Sequence, residues 1–305
     1  MNIGAGIVTF NPDIVRLTEN INAISPQVKT VLVVDNGSDN SCKISTLCSN
    51  YSNVSLQRLN SNEGIAKALN VIMARFKELG YDYVVTLDQD SVSTPGMVDI
   101  LLSSVDEESG IVAPQIIDRN KSDFTNWDGL LDHEIVQIKQ AARKGVITSG
   151  ALTSVRAWDF VGGFDDIFFI DYVDYDFNKR LLLEGFSIVR NGNAGLIHEI
   201  GKASPTPLFT PRKAQNGKWH LERFYSFGHS PFRCYYKSRN RFLYSKKYLF
   251  LPGFFSFEGV FQVFPQICLT LLFEDHRCKK LKAFCSGIKD GFNLHVNRYV
   301  VKKGQ

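Results

Sequence analysis

Val84-Val85-Thr86-Leu87-Asp88-Gln89-Asp90-Ser91 is an apolar, β-branched run that ends in two carboxylates one residue apart. The run reads as a buried strand. Side chains alternate along a strand, but where the strand opens into a loop Asp88 and Asp90 turn toward one centre. Two hard oxygen donors there suit Mg²⁺ or Mn²⁺. The same residues also fit a plain strand end closing in an Asx turn, which Asp, Ser and Thr-Pro favour. The surrounding chain decides between the two.

Outward from this strand, Ile3 to Phe10, Thr30 to Asp35, Val54 to Leu59 and Gly110 to Pro114 also read as strands, with helical periodicity over 13–24, 63–79 and 96–105. Alternation of this kind predicts an α/β fold with a mostly parallel central sheet flanked by helices. Ligands of such sheets sit at the carboxyl ends of the strands. Thr9 and Asn11, Asp35 and Asn36, Asn62 and Gly64, and Asp88 and Asp90 all fall there. Residues 118–145 read as a polar insertion, 147–154 as renewed β structure, 171–185 as a helix and 186–198 as a closing strand. Gly4-Ala5-Gly6 does not make a dinucleotide fingerprint, because its glycines precede the strand end and Thr9 stands in the third glycine position.

The net charge of +4 hides an asymmetry. Residues 1–210 carry 17 basic against 26 acidic side chains, and residues 211–305 carry 18 against 5. A block that basic reads as a surface facing anionic lipid or nucleic acid, or as a solvated face. The chain divides into a catalytic domain over 1–208 and a helical, aromatic and basic region over 209–305, with Ser204-Pro205-Thr206-Pro207 as the break. Six cysteines without a C-x-x-C pair indicate neither a disulfide framework nor structural zinc and fit a reducing cytosol. No basic segment precedes the first strand, so no signal peptide is expected. Leu249 to Phe273 holds one charge, Glu258, and has the length of a membrane span. Pro252, Pro265, Gln262 and Gln266 disfavour a span and leave a helical hairpin at the interface, or core. Lys246, Lys247, Arg277, Lys279, Lys280 and Lys282 flank it, which favours the interface with an anionic membrane.

Asp35, after Val31 to Val34, is placed either to accept the imide N–H of uracil or thymine or to cap the next helix. Asn62-Glu63-Gly64-Ile65-Ala66 opens a helix whose N-terminus and small residues would admit a phosphate or ribose, or is an ordinary Asn cap. Asp171, Asp174 and Asp176 crowd three acids into six residues, which raises at least one pKa or calls for a cation. Asp174 is a candidate general base. His198 is either structural or the nitrogen ligand that completes a site begun by Asp90.

The ordered set Thr9-Phe10-Asn11, Val34 to Ser38, Asn62 to Ala66, Leu87 to Asp90, Gly162-Gly163-Phe164-Asp165, Asp174-Tyr175-Asp176 with Arg180, and His198 resembles the family 2 inverting glycosyltransferases of the GT-A fold. The Leu-Asp-Gln-Asp-Ser form and Phe168-Phe169-Ile170-Asp171-Tyr172-Val173-Asp174 look most like bacterial rhamnosyltransferases that use dTDP-L-rhamnose. The resemblance covers about residues 3–200 and implies that Thr9 and Asp35 hold the base and Asp88 the ribose or metal. It implies further that Asp90 and His198 hold the metal and Asp174 acts as base. Val173 stands where Glu is usual, which leaves Asp171 as the rival base. Arg233 to Arg241 also resembles tails of these enzymes and would suit a polyprenyl-diphosphate-linked saccharide acceptor at the inner face of the plasma membrane.

Three other readings compete. A UDP-sugar donor satisfies Asp35 equally. Asp88-Gln89-Asp90-Ser91-Val92 fits a haloacid-dehalogenase phosphatase signature, although three strands precede it here. Tyr235, Tyr236 and Phe242 in the basic tail could stack on nucleic acid, a reading that leaves the acidic body unexplained.

Overall fold

Strand and helix alternate through the first hundred residues of the computed structural model, which describes residues 1–120, 126–139, 145–199, 204–213, 219–226, 228–251 and 258–302. The order is β1 (Ile3–Thr9), α1 (Ile14–Ile24), β2 (Thr30–Asp35), α2 (Ser41–Cys48), β3 (Val54–Arg58), α3 (Ile65–Glu78), β4 (Tyr83–Asp88), β5 (Val92–Ser93), α4 (Met97–Leu102) and β6 (Ser109–Asp118). It continues with β7 (Ile135–Gln137), β8 (Leu152–Ser154), α5 (Val155–Val161), α6 (Val173–Leu183) and β9 (Ser187–His198). Among the described residues these strands form one sheet in the order β3-β2-β1-β4-β8-β6-β9-β5, with β7 on β9. β3, β2, β1 and β4 run parallel, as do β6 and β9, while β8 opposes both its neighbours. The α/β architecture with a mostly parallel sheet is the expected one.

Local chemistry explains the layers. Asp13 caps α1 by accepting from the Val15 and Arg16 amides, and Leu17, Ile21 and Ile24 recur at helical spacing on its buried face. Ala66, Leu69, Ile72, Met73 and Phe76 do the same for α3. Gly4 and Gly6 alternate on the face of β1 that meets α3, where a Cβ would overlap Phe76 and Ile72. Their service is close helix-on-sheet packing, which disposes of the dinucleotide reading on structural grounds.

By its contacts the chain divides into Met1–Ile200 with Val301–Gln305, and Gly201–Val300. The second unit holds the antiparallel pair β10 (Ser204–Lys213) and β11 (Trp219–Ser226), then α7 (Pro231–Lys247), α8 (Glu258–Phe261), α9 (Val263–Phe273) and α10 (Arg277–Asn293). The Ser204 to Pro207 break is therefore the start of a strand, and the boundary drawn at 208 falls inside it. Two-stranded pairing leaves each strand an edge, where proline is tolerated. α7 and α10 approach closely because Gly287 and Gly291 lie against the α7 backbone at Tyr235 and Arg239. Ser238 Oγ donates to Phe284 O at 3.2 Å across that seam. The tyrosines offered for nucleic-acid stacking are engaged inside this unit: Tyr235 Oη donates to Asp290 at 2.7 Å, Arg239 covers Tyr236, and buried Phe242 packs on Phe292. Over 249–273, residues 252–257 lie outside those described, and Pro265 sits in the first turn of α9, where it starts a helix instead of breaking one. No helix of the described residues is long and apolar enough to cross a membrane.

Candidate functional site

Register brings the polar strand ends together. Thr9 pairs with Asp35 and Val8 with Asp88 at the carboxyl edge of β2, β1 and β4. The loops beyond are stitched to one another. Phe10 N donates to Gln89 Oε1, Asn11 N to Ser38 Oγ, and Asp39 N to Asn11 Oδ1, each at 2.8 Å. Asn36 donates to Asn62 Oδ1 and Gly64 O and accepts from Glu63 N. Asn11 adopts a positive φ of 47° to do this, a conformation Asn tolerates. Buried Asp35 accepts from the Ser38 amide and hydroxyl through Oδ1, so one oxygen closes the turn. Thr9 Oγ1 donates to Val34 O. At Gly64, with φ 90°, a Cβ would strike Phe169, whose carbonyl also accepts from Ile65 N at 2.8 Å. The close approach that Gly64 permits is thus to Phe169.

Asp88, Asp90 and His198 converge, with their candidate ligand atoms all within 4.8 Å of one another. The device that joins residues over a hundred apart is β5, whose Val92 and Ser93 pair with Ile197 and Leu196 just before His198. His198 Nδ1 lies 3.8 Å from Asp90 Oδ1 and 2.9 Å from Ser91 Oγ. Two carboxylates and an imidazole at this spacing fit Mg²⁺ or Mn²⁺.

Sequence reasoning missed the support of this group. Fully buried Ser91 and Ser149 share a hydrogen bond at 2.7 Å, and Ser149 Oγ accepts from Asp88 N at 3.0 Å. The chain Asp88–Ser149–Ser91–His198 therefore fixes both ends of the triad. Asn20 adds a bond to Asp88 O at 2.7 Å. The one signal in the sequence was Gly150, whose φ of 79° marks a turn at the start of β8. Ser149→Ala is expected to weaken Mn²⁺ binding about tenfold or more, read by titration without donor, because outer partners orient metal ligands. An unchanged affinity would show that the triad holds itself.

Asp174 stands in the first turn of α6, partly exposed, with its carboxyl held by the Thr148 amide and hydroxyl. Burial, and next the charge of Asp88, push its pKa from 3.8 up to about 7 against those hydrogen bonds, with Asp171 adding to the rise. Asp171 and Tyr172, at φ 61° and 69°, form a left-handed entry to the helix, a strained backbone of the sort found at working sites. Asp176 has a different fate. It is fully buried and paired with Arg180, whose guanidinium also donates to Val161 O and Gly163 O. Asn70 completes that anchor, bonding Phe164 N, Phe164 O and Asp166.

The chain matches Glycosyl transferase family 2 over residues 5–162. It is 31% identical over 260 residues, 81% of this chain and 80% of the relative, to the dTDP-rhamnosyl transferase RfbF of Shigella flexneri. Among solved structures it resembles S. aureus TarS 1–349 in complex with UDP, with TM-score 0.51 and 18% identity over 66% of this chain and 61% of that one. A further S. aureus TarS structure gives TM-score 0.55 at 15% identity over 96% and 49%. GalNAc-T7 with UDP, GalNAc and Mn²⁺ gives 0.52 at 11% over 65% and 43%. The chain spans less than two thirds of each of these structures, and the likeness is one of fold, the GT-A fold.

Proposed function

Because this chain belongs to glycosyl transferase family 2, we propose that it is a metal-dependent inverting glycosyltransferase moving L-rhamnose from dTDP-L-rhamnose to a saccharide acceptor. The observation that carries the reading is the convergence of Asp88, Asp90 and His198 at the strand ends beside Asp174. The resemblance to RfbF supports the donor.

In this reading Thr9, Asn11 and Asn62 form the floor under the nucleoside, and the second oxygen of Asp35 accepts the imide N–H of the base. Asp88 meets the ribose or the metal; Asp90 and His198 hold the metal. A bound Mg²⁺ or Mn²⁺ would supply positive charge for the departing diphosphate. Asp174, rather than Asp171, takes the proton of the acceptor hydroxyl, since a base with pKa near the working pH is the efficient one. The hydroxyl oxygen attacks the anomeric carbon in line as the bond to the diphosphate oxygen breaks, which inverts the configuration and gives an α-L-rhamnoside from the β-donor. The basic excess of the second unit supports a polyprenyl-diphosphate-linked acceptor and a peripheral position at the inner face of the plasma membrane, in synthesis of a cell-surface polysaccharide.

Thermal stabilisation by nucleotides tests this reading. A ligand at 100 times its dissociation constant adds about 2.7 kcal/mol, so dTDP or dTDP-rhamnose with Mn²⁺ is expected to raise Tm visibly above UDP, and EDTA to remove the gain. The Asp90→Ala, His198→Ala double variant is expected to lose the metal-dependent part. Preference for UDP would keep the glycosyltransferase and discard rhamnose, and phosphate release from simple phosphomonoesters would restore the phosphatase reading.

A further inference from the structure

α9 carries no charged residue, and its outward positions are apolar. Phe264 and Leu272 are 63% and 59% exposed, and exposed Cys268 lies between them. Steps of four place the three in one line along the helix. Phe261, at the end of α8 and 61% exposed, stands one turn ahead of that line. Val263 and Thr270 are turned inward. The corner that follows is held firmly: Arg277 donates to Glu274 O and Leu272 O, and buried Lys280 pairs with Glu274 at 2.7 Å. Beyond the corner α10 exposes Arg277, Lys279, Lys282 and Lys289.

Resting on the peripheral placement proposed above, we infer that the Phe261, Phe264, Cys268 and Leu272 line is seated in the surface of an anionic bilayer, with the α10 cations on the headgroups. An 11-residue helix measures about 16 Å, half of the roughly 30 Å a span needs, so α9 lies in the plane of the interface. Charge complementarity selects this occupant. A second copy docking through the same face would bring an equally basic tail, 18 basic against 5 acidic residues over 211–305, and be repelled. An anionic leaflet attracts the cations and accepts the aromatic line at once.

The test uses the full chain with Cys42, Cys278 and Cys285 changed to Ser, so that Cys268 takes an environment-sensitive dye. A control chain keeps Cys42 as its exposed thiol instead. With vesicles of phosphatidylcholine and phosphatidylglycerol at low salt, the Cys268 dye is expected to shift to the blue and lose access to an aqueous quencher. The Cys42 dye is expected to stay as it was. Pure phosphatidylcholine or high salt should remove the effect, and Phe264→Ser with Leu272→Ser should weaken vesicle binding about tenfold or more. Vesicle binding with an unmoved Cys268 dye would overturn this inference alone. Absence of vesicle binding would overturn it together with the peripheral placement. A blue shift that grows with protein concentration and needs no lipid would assign the line to a second copy and overturn it as well.

Discussion

Asp174→Asn is expected to lower sugar transfer by about 10²–10⁴-fold, the range a general base contributes, while donor and Mn²⁺ still stabilise the protein. The same variant is expected to be more stable than the parent at alkaline pH. Folding raises the pKa of Asp174 from 3.8 to about 7, so the folded state binds this proton more tightly than the unfolded state. Ionisation is the disfavoured event, and the parent loses stability as pH climbs from about 4 to about 7, at most about 4 kcal/mol in all. Asn carries no charge and has no such loss. The Tm advantage of the variant over the parent, measured without metal, should therefore be negligible below about pH 4, grow through pH 5 and 6, and level off above about pH 7. In the parent, kcat/KM should rise tenfold per pH unit toward about 7 and then flatten. With Mn²⁺ bound, that flattening should fall below the pH at which the metal-free Tm difference levels off, because the cation offsets the charge of Asp88, the second cause of the shift. Full activity in Asp174→Asn, with loss in Asp171→Asn, would transfer the role to Asp171.

What the sequence made readable follows from the range of each signal. An apolar run ending in Asp88 and Asp90 is local information, and the strand, its end and its acids could all be read without the fold. So could the alternation that orders β1 to β4 and thereby sets Thr9, Asp35 and Asp88 along one edge. β5 could not, because two residues show no periodicity, yet its pairing with β9 is what carries Asp90 to His198. Ser149 was equally hidden: it acts on Asp88 and Ser91 from about sixty positions away, and a serine before a glycine reads only as a turn. Gly64 and Asp35 had two readings each, and the geometry commits part of each residue to the architecture, Gly64 to Phe169 and one Asp35 oxygen to Ser38. Ser204 to Pro207 failed in the other direction, since prolines that signal a break also serve on an edge strand.

Asp176→Ala is expected to destabilise the fold by about 3–5 kcal/mol, the cost of leaving one partner of a buried ion pair alone. Arg180 is 3% exposed and Asp176 not at all. Removing the carboxylate takes the Asp176 anion from a buried guanidinium that also donates to Val161 O and Gly163 O and lies over the Phe177 ring. Because those carbonyls belong to the turn before Phe164, the strain should also loosen the Gly162-Gly163-Phe164-Asp165 segment that Asn70 holds to α3. Asp176→Leu with Arg180→Met, which removes both charges and keeps apolar volume, is expected to recover most of the loss in urea unfolding. The contrast with Asp174 is the informative part. Two residues apart in one motif, Asp174 should cost rate while adding stability, and Asp176 should cost stability while leaving the rate per folded molecule within a few fold. If Asp176→Ala instead lowered kcat at unchanged unfolding midpoint, the carboxylate would belong with the reacting groups, and the anchoring of the glycine turn would have to come from Asn70 alone.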